Sequence, residues 1–168
     1  MELYFLRHGP AASIEEAGVE RDSERPLTDD GLAVCTLVGE GLKRLSVRFD
    51  VVASSPLKRA RQTADAVAAP LGIKDRVVVT EAMMPGCTIT DLADFVRSHR
   101  HAAKIVLVGH QPDLSELVAE LVGGARMKMP KAGLARVDLD EVAPGAGTLR
   151  WLLEPGMMVM LARVPMEE

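Results

Sequence analysis

The chain is predicted to form an α/β fold of three layers, with helices on both faces of a mostly parallel central sheet. Short apolar segments of strand length alternate with segments whose apolar residues recur every three or four positions, the period of an amphipathic helix. The segment Lys104 to Gly109 is almost continuously apolar, as expected of a central strand buried on both faces. With 168 residues, 48% of them apolar, the chain can bury one core, and we expect a single domain over residues 1–168.

The first half of the chain is predicted to contain three strands and two helices, with a charged loop from Glu15 to Arg25. The strands are predicted at Leu3 to Leu6, Asp50 to Ser54 and Arg76 to Thr80. The first helix opens with Thr28 as its N-cap, and its apolar face consists of Leu32, Cys35, Val38, Leu42 and Leu45. The second is predicted to begin at Ser55-Pro56, with serine as the cap and proline at the first helical position, and to end at Gly72. Its buried face is predicted to consist of Leu57, Ala60, Ala64, Val67 and Leu71.

The second half is predicted to contain two helices and three strands. A helix within Thr88 to His101 starts with a capping box formed by Thr88 and Asp91. The strand Lys104 to Gly109 follows, and then a helix from Leu114 to Leu121 that Gly123-Gly124 ends. Two final strands are expected around Leu134 to Leu139 and Thr148 to Leu153.

Composition excludes several classes of function. The formal charge of −4 and the pI near 5.6 argue against a general nucleic-acid-binding protein, which usually carries a basic surface. Cys35 and Cys87 form no CxxC pair and are interpreted as ordinary thiols in a reducing compartment. The N-terminus lacks the features of a signal peptide, and no apolar run approaches the roughly 20 residues of a membrane helix. We therefore expect a cytoplasmic protein with no membrane partner.

Cationic side chains are predicted to converge at one edge of the sheet. The first strand leads into Arg7-His8-Gly9, the second into Ser54-Ser55 with Arg59 in the following helix, and the central strand into Gly109-His110-Gln111. Ligands of open α/β sheets bind outside the carboxyl ends of the strands, and a helix N-terminus at that edge also favours an anion. Two arginines and two histidines brought together in this way indicate a site for a phosphate or sulfate anion.

These blocks resemble the histidine phosphatase superfamily, whose members include the phosphoglycerate mutases. The similarity lies in Leu6-Arg7-His8-Gly9, in the block from Ser54 to Ala64 and in Val108 to Pro112. Arg25-Pro26-Leu27-Thr28 with Gly31, together with the segments Gly109 to Ser115 and Leu149 to Pro155, is similar to the SixA-type branch of phosphohistidine phosphatases. The segment from Gly156 onward lies outside this resemblance. The resemblance implies a phosphoglycerate mutase-like fold and phosphatase activity.

The resemblance also implies catalytic roles. His8 would attack phosphorus through Nε2 and form a phosphohistidine enzyme, which requires a neutral ring whose other nitrogen is held protonated by an acceptor. Arg7 and Arg59 would hold the phosphate oxygens with their planar guanidinium groups. His110 would bind the transferring group as an imidazolium that the phosphate stabilises. The two histidines would then need opposite protonation states.

Three further positions are candidates for substrate binding. Gly9 would let the backbone approach the phosphate closely, as would Gly109. Arg25 belongs to the branch pattern, but it is also explained as a solvated charge in a loop.

No carboxylate cluster that could hold Mg²⁺ is visible, and His99 and His101 fit a basic helix end better than a metal site. We therefore expect no metal and no cofactor.

The chain departs from the larger relatives of this superfamily at the residue that would protonate the leaving group. Gln111 follows His110, Met83-Met84-Pro85 stands where those relatives carry a glutamate, and Glu81 is an offset candidate. General-acid help is worth about 10²–10⁴ in rate, and an imidazole leaving group depends on it less than an alkoxide. The short segment between Thr80 and Lys104 also leaves little chain for a lid, which favours a protein substrate over a small metabolite.

Three functions therefore remain in view. The first is a phosphohistidine phosphatase acting on a partner protein such as a histidine-containing phosphotransfer domain or a phosphocarrier. The second is a phosphomonoesterase or mutase acting on a small phosphorylated metabolite. The third is a module that binds phosphate without turnover, although such a module has no need of the nucleophile His8.

Overall fold

A six-stranded sheet with the order β3-β2-β4-β1-β5-β6 forms the centre of the molecule. The computed structural model describes residues 1–165. The strands are β1 (Glu2–Arg7), β2 (Val51–Ser54), β3 (Val77–Val79), β4 (Lys104–Gly109), β5 (Leu134–Leu139) and β6 (Gly147–Leu153). Strands β3, β2, β4 and β1 are parallel, and β5 and β6 continue the sheet in antiparallel pairs. The predicted mostly parallel sheet, with β4 in an interior position, is confirmed.

Helices cover both faces of this sheet, so the α/β/α arrangement is confirmed. The helices are α1 (Ile14–Ala17), α2 (Asp29–Arg44), α3 (Lys58–Leu71), α4 (Ile89–Ser98), α5 (Asp113–Leu121) and α6 (Pro155–Ala162). One core cluster joins the sheet to α2, α3 and α6, and a second joins the other face to α4 and α5. The alternating strands place consecutive side chains in the two clusters: Leu3 and Phe5 lie in one, and Tyr4 and Leu6 in the other.

The start of α3 differs from the prediction. The helix begins at Lys58 with Leu57 as its N-cap, and Leu57 makes no side-chain capping bond. The predicted cap, Ser55, lies outside the helix. Its hydroxyl oxygen instead lies 2.8 Å from Nε2 of His110 on the neighbouring strand end. It also accepts a 3.3 Å bond from the Leu57 amide, which fixes the turn before the helix.

In α2, the predicted N-cap is confirmed, but the buried face is narrower than predicted. Thr28 accepts a hydrogen bond from the Gly31 amide, and Cys35, Val38 and Leu42 are fully buried. Leu32 and Leu45, however, are nearly half exposed. Leu32 lies one position, or about 100° of rotation, from the buried Gly31, and Leu45 follows the last residue of the helix.

The structure adds elements that were not predicted. The charged loop contains α1 and a 3-10 turn at Asp22–Glu24, and the segment after Glu154 forms α6. Helix α6 packs closely on α2: a Cβ atom at Gly41 would lie 2.7 Å from the carbonyl oxygen of Met158. Within residues 1–165, no helix combines the length and apolar character that a membrane span requires.

Candidate active site

The register of the parallel strands brings three strand ends together. Arg7 lies opposite Gly109 in the β1–β4 pair, and Ser54 lies opposite Val108 in the β2–β4 pair. His8, Ser55 and His110 follow these positions directly, so they emerge at the same edge of the sheet. The ring centroids of His8 and His110 are 5.3 Å apart. The predicted convergence of the two histidines is therefore present in the structure.

His8 is held in one tautomer by its own loop. Its Nδ1 lies 2.8 Å from the carbonyl oxygen of Gly9. Because a carbonyl can only accept, Nδ1 carries the proton and Nε2 keeps its lone pair. Burial lowers the pKa of His8 to about 4, and the positive charges of Arg59, Arg7 and Lys131 act in the same direction. His8 is therefore neutral near pH 7, the state that a nucleophile requires.

Gly9 and Thr63 connect this loop to α3. The Gly9 amide donates a 3.0 Å hydrogen bond to Oγ1 of Thr63, which in turn donates to the carbonyl oxygen of Arg59 at 2.7 Å. A Cβ atom at Gly9 would lie 2.5 Å from Sγ of Cys35. The structure thus gives Gly9 a packing requirement against α2, in addition to any approach of its backbone to phosphate.

His110 is buried and oriented by Ser55. With Nε2 bonded to Ser55, Nδ1 has no hydrogen-bond partner among residues 1–165. Burial lowers the pKa of His110 to about 3, a value to which the positive charge of Arg59 and the proximity of the His8 ring contribute. His110 is therefore neutral together with His8, and the predicted imidazolium needs a negatively charged partner to offset these effects. A phosphate dianion is a partner of that kind.

Arg7 is anchored at one end of its guanidinium group. Nη1 donates to the carbonyl oxygen of Met129 at 2.9 Å, while the buried Nε has no partner among the described residues. Burial lowers the pKa of Arg7, although the group stays charged. Within residues 1–165, Arg7 Nε and His110 Nδ1 are the two buried side-chain nitrogens without a partner, and both belong to the predicted site. Unpaired buried polar atoms are costly, so an anion that accepts from both would relieve that cost.

Arg59 is held by a carboxylate that sequence reasoning did not single out. Its Nη2 lies 2.9 Å from Oδ2 of Asp22, and its Nη1 donates to the Asp22 carbonyl oxygen at 2.8 Å. Arg25 binds the other carboxylate oxygen of Asp22 at 2.8 Å and donates to Ala12 through Nε. Arg25 is thus linked to Arg59 through Asp22, and it is not a free loop charge.

Glu81 lies in a different groove. It is exposed at the start of a 3-10 turn and lines that groove together with Asp91, Asp94 and Cys87. Among residues 1–165, no group of three or more His, Cys, Asp or Glu side chains is arranged to hold a metal ion.

Sequence reasoning missed the residues that support the four predicted site residues: Asp22, Ser55, Thr63 and Met129. Ser55 and Thr63 belong to the block that carried the family resemblance, but their polar side chains also fit ordinary helix positions. Asp22 and Met129 carry no local signal at all, because Asp22 is 37 residues from Arg59 and Met129 is 122 residues from Arg7.

An α/β sheet whose carboxyl edge presents two histidines and two arginines is the arrangement of a histidine phosphatase. Comparison with known proteins supports this class directly. Residues 3–84 match the family model of the histidine phosphatase superfamily, branch 1. The chain is 39% identical over 140 residues to an uncharacterised protein of a Picosynechococcus strain, covering 80% of this chain and 82% of that protein.

The similarity to SixA proteins extends over nearly the whole chain. The chain is 31% identical over 158 residues to the phosphohistidine phosphatase SixA of Escherichia coli, covering 92% of this chain and 94% of that protein. The solved structure of the protein histidine phosphatase SixA in complex with tungstate superposes with a TM-score of 0.82 at 30% identity, covering 94% and 99% of the two chains. The chain belongs to the histidine phosphatase superfamily and, within it, to the SixA-type branch. Like other members of that family, it is a metal-independent phosphatase.

Proposed function

We propose that the chain removes phosphate from a phosphohistidine on a partner protein by way of a covalent phosphohistidine on His8. The observation that carries the proposal is the hydrogen bond from His8 Nδ1 to the Gly9 carbonyl oxygen. This bond leaves Nε2 unprotonated in a ring that burial keeps neutral. The names of the relatives in the SixA-type branch support the same substrate class.

Two displacements at phosphorus complete the proposed reaction. In the first, His8 Nε2 forms a bond to phosphorus while the phosphorus–nitrogen bond of the substrate breaks, and the substrate imidazole leaves and takes up a proton from solvent. In the second, a water oxygen attacks phosphorus as the bond to Nε2 breaks; one water proton stays on the released phosphate, and the other returns to solvent and replaces the proton taken up in the first step. The chain returns to neutral His8 and releases inorganic phosphate.

Three groups would stabilise the negative charge on the transferring phosphoryl oxygens. Arg7 supplies a buried Nε–H donor, and Arg59 supplies a buried positive charge. His110, once protonated, donates through Nδ1. Preorganised donors in a site screened from water are the main source of catalysis in phosphoryl transfer. With a phosphate dianion bound, the pKa of His110 would rise, because the dianion offsets burial and the neighbouring charges.

The chemistry of the leaving group favours phosphohistidine over a phosphate ester as the substrate. Gln111 follows His110, and its side chain contacts Ser115 and the main chain of Met129. Glu81 lies in its own groove. A poor leaving group such as an alkoxide needs an acid, whereas an imidazole leaves more readily.

The test is phosphate release from a histidine-containing phosphotransfer domain that carries phosphohistidine. We expect His8→Ala to lower this rate by at least 10³-fold, because the covalent step is lost. His101→Ala, which removes an exposed histidine beyond α4, is the matched control and should retain the wild-type rate. Equal rates for wild type and His8→Ala would refute the proposal.

A direct comparison of substrates separates the alternatives. Faster turnover of sugar phosphates or nucleotides than of the phosphohistidine protein would assign the site to small metabolites. Rapid quenching under non-acidic conditions with labelled substrate tests the binding module. If the chain only binds phosphate without turnover, neither a phosphoenzyme nor released phosphate would be detected.

A further inference from the structure

A groove of about 440 Å³ lies beside the candidate active site. One wall is the exposed side of α5, and the other is the segment 125–128 that connects α5 to β5. Arg7 and Gln111 line the groove and also belong to the strand ends that form the site. A molecule that places a phosphoryl group on Arg7 therefore contacts a residue that also lines this groove.

The connecting segment is strongly basic in an acidic chain. Residues 123–131 include three cations, Arg126, Lys128 and Lys131, and no carboxylate, although the chain as a whole carries a formal charge of −4. All three side chains are exposed, and none lies within 4.0 Å of a carboxylate among residues 1–165. Unpaired cations grouped in this way produce a local positive potential that net charge conceals.

The rest of the groove is suited to a polypeptide surface. Pro112, Ala119, Ala125 and Met127 provide apolar contact, while Ser115 and Glu116 provide polar groups on the α5 wall. The groove is open to solvent and therefore suits a protein surface better than a small molecule that needs enclosure. Its single carboxylate, Glu116, belongs to α5, whereas Arg126 and Lys128 belong to the connecting segment.

We propose that this groove docks the phosphohistidine-bearing protein through carboxylates that lie close to its phosphorylated histidine and pair with Arg126 and Lys128. The docking rests on the proposed function, because it takes that protein as the substrate. Complementary charges at the rim of an interface act mainly on the association rate and are screened by salt. The groove therefore contributes to kcat/KM for protein substrates at low ionic strength.

The experiment compares two substrates in each variant: a phosphotransfer domain carrying phosphohistidine, and free phosphohistidine. We expect Arg126→Glu combined with Lys128→Glu to lower kcat/KM for the protein at least tenfold more than kcat/KM for the free amino acid at 20 mM salt. That difference should disappear at 1 M salt, where the Debye length is only about 3 Å. Arg97→Glu with Arg100→Glu makes the same charge change at the far end of α4, and it should leave the ratio of the two values unchanged.

A substituted partner identifies the pairing groups. Neutralising the carboxylates around the partner's histidine should lower its kcat/KM with the wild-type chain and abolish its sensitivity to the double reversal. The conservative pair Arg126→Lys and Lys128→Arg should retain the wild-type ratio, which separates charge from damage to the loop.

Distinct outcomes overturn the docking and the proposed function. An equal loss for both substrates, or no loss, overturns the docking while His8-dependent turnover still supports the function. Absence of His8-dependent turnover of the phosphoprotein overturns the function and the docking with it. Loss of a dimer in the double variant, measured by sedimentation, would assign the groove to a second copy of the chain and overturn the docking.

Discussion

Thr63→Val tests the connection between the nucleophile loop and α3. Thr63 is fully buried, and Oγ1 is the acceptor for the Gly9 amide at 3.0 Å. Valine has nearly the same shape but no acceptor, so the amide would lose its partner in a dry environment. A buried donor left unsatisfied costs about 1–3 kcal/mol, and we expect the free energy of unfolding to fall by about 2 kcal/mol.

Two controls isolate that tertiary bond. Thr36→Val on α2 removes the same type of bond to the carbonyl oxygen four residues earlier, without a long-range partner, and should change stability by less than about 0.5 kcal/mol. Thr63→Ser keeps the acceptor and loses one methyl group, at a cost of about 1 kcal/mol. The measurement is urea unfolding followed by circular dichroism. Equal destabilisation by Thr63→Val and Thr36→Val would refute the reasoning.

Thr63→Val should also lower kcat more than it raises KM. The Gly9 peptide whose amide bonds Thr63 also holds His8 Nδ1 through its carbonyl oxygen, so a shift of this peptide disturbs the nucleophile directly. Steady-state kinetics on a phosphohistidine substrate measures the effect. A change confined to KM would contradict it.

Three further predictions follow from the same geometry. Ser55→Ala removes the partner of His110 Nε2 and should lower kcat/KM about tenfold, the equivalent of one hydrogen bond, whereas Ser54→Ala, which loses only a bond to its neighbour's carbonyl oxygen, should have little effect in the same assay. Asp22→Asn removes the negative charge beside Arg59 and should tighten inhibition by inorganic phosphate about threefold at low salt; an unchanged inhibition constant would contradict this. The folded-state pKa values of His8 and His110, about 4 and about 3, lie below the unfolded value near 6.5, so the unfolded chain binds protons first as pH falls. Stability should therefore be lost progressively below about pH 6.5, and urea unfolding at pH 7 and pH 5 should show a smaller loss in His110→Gln than in wild type.

Local patterns allowed the strands and most helices to be predicted. The apolar run of β4 and the three- and four-residue spacing in α2 report burial directly, because each residue's neighbours along the chain set which face it occupies. Thr28 and the Thr88–Asp91 capping box were also predicted correctly, since both partners of each bond lie within three residues of one another. The assignment of residues 1–168 to one domain remains a prediction.

Ser55 shows where local reasoning fails. Serine before proline is typical of a helix N-cap, yet the hydroxyl binds His110, 55 residues away, and the helix starts three residues later. In the same way, the charged loop was predicted without structure, although its α1 and 3-10 turn bring Asp22 to Arg59. A side chain with several possible partners binds the one that the tertiary fold brings closest, and local sequence does not contain that distance.

The sequence by itself therefore determined the α/β architecture and the approach of Arg7, His8, Arg59 and His110 to one edge of the sheet. Both follow from the periodicity of apolar residues and from the order of strands and helices along the chain, which the linear sequence contains. The tertiary structure alone decided the tautomer of His8, the orientation of His110 by Ser55, and the pairing of Arg59 with Asp22. It also placed the basic segment 123–131 beside the site. These features depend on burial and on distances between residues far apart in sequence, and only the folded chain defines them.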